Sequence, residues 1–227
     1  LFKNGQIISH KHRILLLVCI LRHIDVHLNL LGYFNVYNAL AAIATALAEG
    51  VTLENNKKSL ATMEGVSGRM ELVSGEQDFQ VIVDYAHTPD ALKKVLKTIK
   101  EFAKGKIITV FGCGGSRDIS KRKVMGGIAS HLSDYMFITS DNPRKEDPIK
   151  IIKDIEVGIG NGFVDYRLIV DREEAIEKAI DLASPEDIVL IAGKGHENYQ
   201  ILSDKTIIFD DREVARKKII KKINANH

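Results

Sequence analysis

From Val81 onward, short apolar runs rich in β-branched residues alternate with segments whose apolar positions recur every three to four residues. The runs are "VIVDYA" (81–86), "KIITVFG" (106–112), "YMFITS" (135–140), "YRLIV" (166–170), "DIVLIAG" (187–193) and "TIIFD" (206–210). Between them stand "PDALKKVLKTIKEF" (89–102), "KRKVMGGIASHL" (121–132), a segment over 148–155 and "REEAIEKAIDLA" (172–183), with a basic helix from Asp211 onward. A short continuous apolar run suits a strand buried on both faces, whereas three-to-four spacing suits an amphipathic helix. Their alternation predicts an α/β fold with a mostly parallel sheet covered on both sides. Thr88 before Pro89 and Asp147 before Pro148 offer N-cap oxygens with proline at the first helical position, which sets two helix starts.

Upstream the pattern changes. "FNVYNALAAIATALAEG" (34–50) predicts one Ala-rich helix, with Asn35 as N-cap and Gly50 as its stop. A shorter helix and a turn at Gly65 and Gly68 follow. We therefore expect a boundary near Ser67, with a largely helical remnant over 1–66 and the α/β unit over 67–227. The first thirty or so residues match no pattern we can place. Within them "ILLLVCIL" (14–21), between Arg13 and Arg22, predicts a buried strand. It falls well short of the roughly 20 apolar residues a membrane span needs, and no small-residue cleavage site follows it. The chain opens on Leu1, from which we expect a longer parent.

Composition changes this picture little. The 227 residues are 45% hydrophobic and 27% charged with a net charge of +2, which gives no global signal for nucleic acid or for an acidic partner. Cys19 and Cys113 lie too far apart for a metal or disulfide motif and fit a reducing cytoplasm. His10, His12, His23 and His27 lack metal-ligand spacing.

The chemistry gathers where such a sheet binds its ligands, at the carboxyl ends of the strands. Four runs end in "DYAHTPD", "GCGGSRD", "DNPR" and "GKGHE". Those loops bring Asp84, His87, Arg117, Asp141, Arg144, Lys194, His196 and Glu197 to one rim. Each loop also has a simpler account. "GCGGSR" resembles a dinucleotide fingerprint without a clear ribose-binding acid, and Gly112, Gly114 and Gly115 equally suit a tight turn. "GKGHE" is not a phosphate loop, because the spacing before Lys194 is wrong and no Ser or Thr follows. His87 could bond its own loop, and Asn38 could read a base edge or cap. Lys121, Arg122 and Lys123 read as a solvated basic first turn.

Taken together, "FNVYNALAA", "SGRMELV", "VIVDYAHTPDAL", "VFGCGGSRDISKRKVMG", "TSDNPRKEDP", "AGKGHENYQ" and "FDDREVA" stand in the order seen in the Mur ligases. The resemblance covers about 30–216 and is nearest to the branch that adds the third residue of the peptidoglycan stem peptide. It implies a Rossmann-like C-terminal Mur ligase domain over 67–227, preceded by the end of the central ATPase domain. It implies a cytoplasmic ligase reaction. ATP phosphorylates the D-glutamate carboxylate of a UDP-N-acetylmuramoyl dipeptide, and the amine of meso-diaminopimelate attacks the acyl phosphate. Arg117, Asp141, Asn142, Pro143, Arg144, Gly193 and Glu197 would hold the amino acid. Asn38, Arg69, Asp84 and His87 would face the nucleotide. Arg144 in "DNPR" points to meso-diaminopimelate rather than lysine, which has no second carboxylate to pair with it. The family's magnesium ligands, modified lysine and phosphate loop belong to its central domain. No G-x-x-x-x-G-K-[ST] occurs in this chain, so we expect no metal ligands here, no assignable catalytic residue and no ATP turnover by the chain alone. The alternatives are a binding module that catalyses nothing by itself and another amide ligase of the superfamily, acting on folate, against which "DNPR" and "GKGHE" argue.

Overall fold

The structure, a computed structural model, describes residues 12–18, 22–63, 65–160 and 164–225. Cys19 and His10 lie outside them. The chain divides into two compact units, Leu1–Val66 and Ser67–His227.

In the first unit, β1 (His12–Val18) and β2 (Arg22–Leu28) form an antiparallel hairpin, followed by α1 (Tyr33–Ala48) and α2 (Leu53–Ala61). The apolar run predicted one strand over 14–21. The second strand, "RHIDVHL", signals itself instead by period-two alternation, which brings Ile24, Val26 and Leu28 against Ala39 and Ile43 of α1. The expected cap of α1 is corrected. Gly32, at φ +88°, occupies the N-cap without a side-chain bond, and Asn35 lies inside the first turn, donating Nδ2 to the Leu31 carbonyl at 2.8 Å. Gly50, at φ +85°, follows the helix end as expected.

The second unit runs β3 (Glu71–Leu72), β4 (Gln80–Asp84), α3 (Pro89–Lys100), β5 (Ile107–Phe111), α4 (Ser120–Leu132), β6 (Tyr135–Ile138), α5 (Pro148–Glu156), β7 (Asp165–Leu168), α6 (Arg172–Leu182), β8 (Ile188–Ala192), β9 (Tyr199–Ile201), β10 (Thr206–Ile208) and α7 (Asp211–Ala225). Thr88 and Asp147 cap α3 and α5 as their positions predict. The main sheet has the order β3-β4-β8-β5-β6-β7, parallel throughout except for the short edge strand β3. The run over 206–210 does not join it. β10 pairs only with β9, in a separate antiparallel hairpin.

Two apolar layers hold this sheet. On one face Val81, Val83, Ile108, Val110, Phe137, Val189 and Ile191 pack against Ala175, Ile176, Ala179 and Ile180 of α6 and Val214, Ala215 and Ile219 of α7. The alternate residues, among them Ile82, Phe111, Met136 and Leu190, are equally buried and turn to the other side. There α3, α4 and α5 pack in series. The chain passes from β4 to β5 leaving a gap that β8 fills last. It leaves β4 and β5 toward α3 and α4 but leaves β8 toward α7, so β8 marks a topological switch point, where open α/β sheets form their ligand crevice.

Candidate functional site

Because β4, β8, β5 and β6 are adjacent and parallel, the loops that follow them stand side by side. They enclose a cavity of about 650 Å³. Tyr85 and His87 reach it after β4, Cys113 and Arg117 after β5, Asp141, Asn142 and Arg144 after β6, and Gly193, Glu197 and Tyr199 at and after the end of β8. The glycines set how closely these loops approach. A Cβ on Gly112 would sit 2.2 Å from the Thr139 carbonyl oxygen, and one on Gly115 would sit 1.9 Å from that of Pro143. The "GCGG" turn therefore lies directly on the "DNPR" loop, and its glycines serve that contact. Gly193, at φ +119°, brings its backbone so near Asp141 that a Cβ would meet Oδ2 at 2.8 Å. We expect Gly115→Ala to displace the "DNPR" loop. The substituted chain should keep its far-ultraviolet circular dichroism but lose at least about tenfold in affinity for the site's ligand by calorimetry; unchanged affinity would show that the two loops tolerate separation.

Asn142 organises the floor. Its Oδ1 accepts from the Ile201 amide at 2.9 Å and from the Lys194 ammonium at 3.4 Å, which turns Nδ2 to Glu197 Oε2 at 3.1 Å. Its carbonyl accepts from the Gly115 amide at 2.9 Å and from Arg144 Nη1 at 3.2 Å. Arg144 stands at φ +55°, a left-handed conformation stabilised by its own amide bonding Ile201 O and by Nη1 bonding Gly115 O at 3.0 Å. Glu197 receives Tyr85 Oη at 3.3 Å and Lys194 Nζ at 3.2 Å as well as Asn142. Burial pushes its carboxyl up, but the Asn142 bond, the Lys194 charge and the Tyr85 hydroxyl outweigh this and leave it below the usual glutamate range. Burial raises the Cys113 thiol to about 12, so this cysteine is no nucleophile at neutral pH although it borders the cavity.

Of the residues expected to hold an amino acid, Arg117, Asp141, Asn142, Arg144, Gly193 and Glu197 all line the cavity. Pro143 is buried beside it, with its carbonyl under Gly115. The four expected to face a nucleotide are His87, Arg69, Asp84 and Asn38. His87 reaches the cavity, with Nδ1 2.8 Å from the Tyr85 carbonyl. Arg69 lies 5.2 Å over the Tyr85 ring. Asp84 is buried and accepts from the Met70 amide at 2.8 Å; burial raises its carboxyl despite that bond, a second from the Ala86 amide and the Arg69 charge. Asn38 is exposed on α1 in the first unit and donates to Asn35 Oδ1 at 3.1 Å.

One expectation is overturned. Arg122 is not part of a solvated first turn. Its side chain is fully buried, pairing with Glu146 and Asp154, each at 2.9 Å. Glu146 also accepts from the Ser116 amide, and that bond comes first, ahead of Arg122, in holding its carboxyl low. This bridge ties the first turn of α4 to the loop after β6 and to α5. A second buried cation, Arg172, grips Asp211 through Nε at 2.8 Å and Nη2 at 2.7 Å and reaches the Ala192 carbonyl at the end of β8. Local sequence showed neither, because both sets of partners come from distant segments. Among the described residues no group of three or more His, Cys, Asp or Glu is placed to hold a metal.

Residues 68–195, more than half of the chain, match the family described as Mur ligase, glutamate ligase domain. The UDP-N-acetylmuramoyl-L-alanyl-D-glutamate--2,6-diaminopimelate ligase 1 of Clostridium acetobutylicum is 53% identical over 191 residues, covering 83% of this chain and 39% of that protein. The ligase of the same description from Syntrophomonas wolfei is 54% identical over 191 residues, covering 84% and 39%. A solved structure of a UDP-N-acetylmuramoyl-L-alanyl-D-glutamate--2,6-diaminopimelate ligase superposes with a TM-score of 0.72 at 41% identity, covering 88% of this chain and 41% of that one. A folylpolyglutamate synthase from Thermotoga maritima shares the fold at 20% identity and a TM-score of 0.64. The chain spans about two-fifths of the length of the curated relatives it matches.

Proposed function

Because the chain belongs to the Mur ligase family, we propose that it carries the amino-acid site of a ligase that joins meso-diaminopimelate to UDP-N-acetylmuramoyl-L-alanyl-D-glutamate in the cytoplasm, at the expense of ATP. The observation that carries this reading is the charge layout of the cavity. Two guanidinium groups, Arg117 and Arg144, and two carboxylates, Asp141 and Glu197, line one space. The far end of diaminopimelate presents a carboxylate and an ammonium, so each sign has its counterpart. A guanidinium fork takes a carboxylate through two parallel N–H bonds, and a carboxylate accepts from an ammonium.

On this reading the chain binds and orients. Arg144 and Arg117 take the distal carboxylate, while Asp141 and Glu197 take the distal ammonium. The other amine is then free to attack the acyl phosphate that ATP forms on the D-glutamate carboxylate. Holding the amine in place supplies the entropic part of the rate. We assign residues 67–227 to the family's C-terminal domain and 1–66 to the end of its central ATPase domain, and we place His87 and Arg69 toward the nucleotide. The sequence has no G-x-x-x-x-G-K-[ST] loop, which favours a second reading for the chain in isolation, that of a module that binds the amino acid without turning over ATP.

Calorimetry with the purified chain tests the first reading. meso-Diaminopimelate should bind at least about tenfold more tightly than L-lysine, which lacks the second carboxylate. Equal affinities would overturn it. ADP release from the chain with the UDP-dipeptide and diaminopimelate would overturn the second.

A further inference from the structure

We propose that Lys194 is a positioning residue for this site: its buried ammonium fixes Glu197 and Asn142 in the orientation and charge state that receive the ligand's ammonium. The inference rests on the amino-acid reading of the cavity given above. Lys194 stands between Gly193 and Gly195, both in the left-handed region, at φ +119° and +54°. Neither tolerates a Cβ. On Gly193 it would meet Asp141, and on Gly195 it would lie 2.7 Å from Tyr85 Cβ. The backbone is thus shaped to carry the lysine inward, and its side chain has no exposed surface.

Inside, the ammonium has three neighbours. Glu197 Oε2 is at 3.2 Å, Asn142 Oδ1 at 3.4 Å and the centre of the Tyr199 ring at 5.5 Å. Lys194 does not line the cavity, whereas Glu197 and Asn142 do. Its action on a ligand therefore passes through Glu197 and Asn142. Asp141 and Glu197 place two carboxylates at one pocket. Lys194 offsets one of these charges from inside the protein, while Arg117 and Arg144 stand on the cavity wall for the ligand's carboxylate. Without that cation Glu197 keeps its burial and loses its contacting positive charge, and both favour the protonated carboxyl.

The groups facing Glu197 come from every neighbouring element: Tyr85 after β4, Asn142 after β6, Lys194 after β8 and, acting through charge, the buried Arg172 at the start of α6. Lys194 is the cation in direct contact. With Lys194 present, the Glu197 carboxyl lies below its ordinary range, so the site is armed at neutral pH and loses ligand only as pH falls through that low value. Removing Lys194 raises the midpoint and moves the loss to higher pH.

The test uses the whole chain and two independent measurements. Carboxyl carbon NMR, with the Glu197 signal assigned through Glu197→Gln, should place the wild-type midpoint below about 4.3 and raise it by about one to three pH units in Lys194→Met. A wild-type midpoint above 4.3 overturns the inference even if Lys194→Met fails to fold, and so does an unmoved midpoint in a folded variant. Calorimetry with meso-diaminopimelate is the second measurement. Below both midpoints each pH unit of upward shift costs a factor of ten in ionised carboxylate, so in mild acid Lys194→Met should bind roughly tenfold more weakly than wild type. The gap should narrow near pH 8. A loss independent of pH is what altered packing alone would produce, and it would overturn the inference. Absence of diaminopimelate binding by the wild type overturns the amino-acid reading instead, while the Glu197 titration still decides the role of Lys194.

Discussion

Replacing Arg144 by alanine should weaken the binding and use of meso-diaminopimelate by roughly 30-fold to a few thousand-fold. A charge-assisted pair in a partly desolvated pocket costs about 2–5 kcal/mol when one partner is cut away, and about 1.4 kcal/mol is a factor of ten. Arg144 suits the role because Nη1 is already anchored on the Gly115 and Asn142 carbonyls, which fixes the plane of the guanidinium beside the cavity. An anchored fork loses little rotamer entropy on meeting a carboxylate. Arg144→Lys should rescue little, since a point charge reproduces neither the anchor nor the second parallel bond. L-Lysine separates specificity from architecture. It has no distal carboxylate, so its already weaker binding should fall much less than that of diaminopimelate. Equal losses for the two amino acids in Arg144→Ala would mean that the residue only supports the loop, and the specificity assignment would have to be abandoned.

The largest effect on stability should come from Arg172→Met. Arg172 and Asp211 both have no exposed side-chain surface and meet through two bonds at 2.7 and 2.8 Å. Methionine would leave the Asp211 carboxylate buried without its cation. Breaking such a pair from one side costs about 3–5 kcal/mol, or roughly 6–20 °C in the melting temperature of a unit of this size. The double variant Arg172→Met with Asp211→Leu should regain most of that loss, because replacing both partners by apolar groups removes the stranded charge. Arg172 also bonds the Ser140 and Ala192 carbonyls, at 3.4 and 3.1 Å. Those carbonyls lie just beyond β6 and at the end of β8, immediately before Asp141 and Gly193. Diaminopimelate affinity should therefore fall in the single variant even at temperatures where it remains folded. Denaturation curves in which the single variant loses less than about 1 kcal/mol would show that water reaches Asp211 and that the pair is not a lock.

Much of this molecule is legible in one dimension. The apolar runs at 81–86, 106–112 and 187–193 and the helical spacing between them report which faces are covered. The Thr88 and Asp147 caps mark where two helices begin, because a cap needs only its own first turn. The four polar loops are legible as a set for the same reason: each directly follows a strand, and parallel strands must end on one edge. What no local pattern carries is which elements become neighbours. Period-two alternation can be read in "RHIDVHL", but the apolar run before it drew the strand to 14–21, where the chain makes a hairpin instead. The segment at 206–210 has the composition of a sheet strand, yet it pairs with β9 alone.

The site divides along the same line. Residue types and their order determined that this chain belongs to the Mur ligase family and that Arg117, Asp141, Arg144 and Glu197 follow strand ends, since those facts depend on short stretches and on the parallel rule. Only the tertiary structure decided that β8 enters between β4 and β5, which sets Glu197 and Lys194 beside Asn142. It also decided that Arg122 and Arg172, two basic residues among many, are buried locks while Lys123 stays exposed. A side chain's charge is written in the sequence, but its burial and its partner depend on segments 24 to 39 residues away, and those meet only when the sheet has closed.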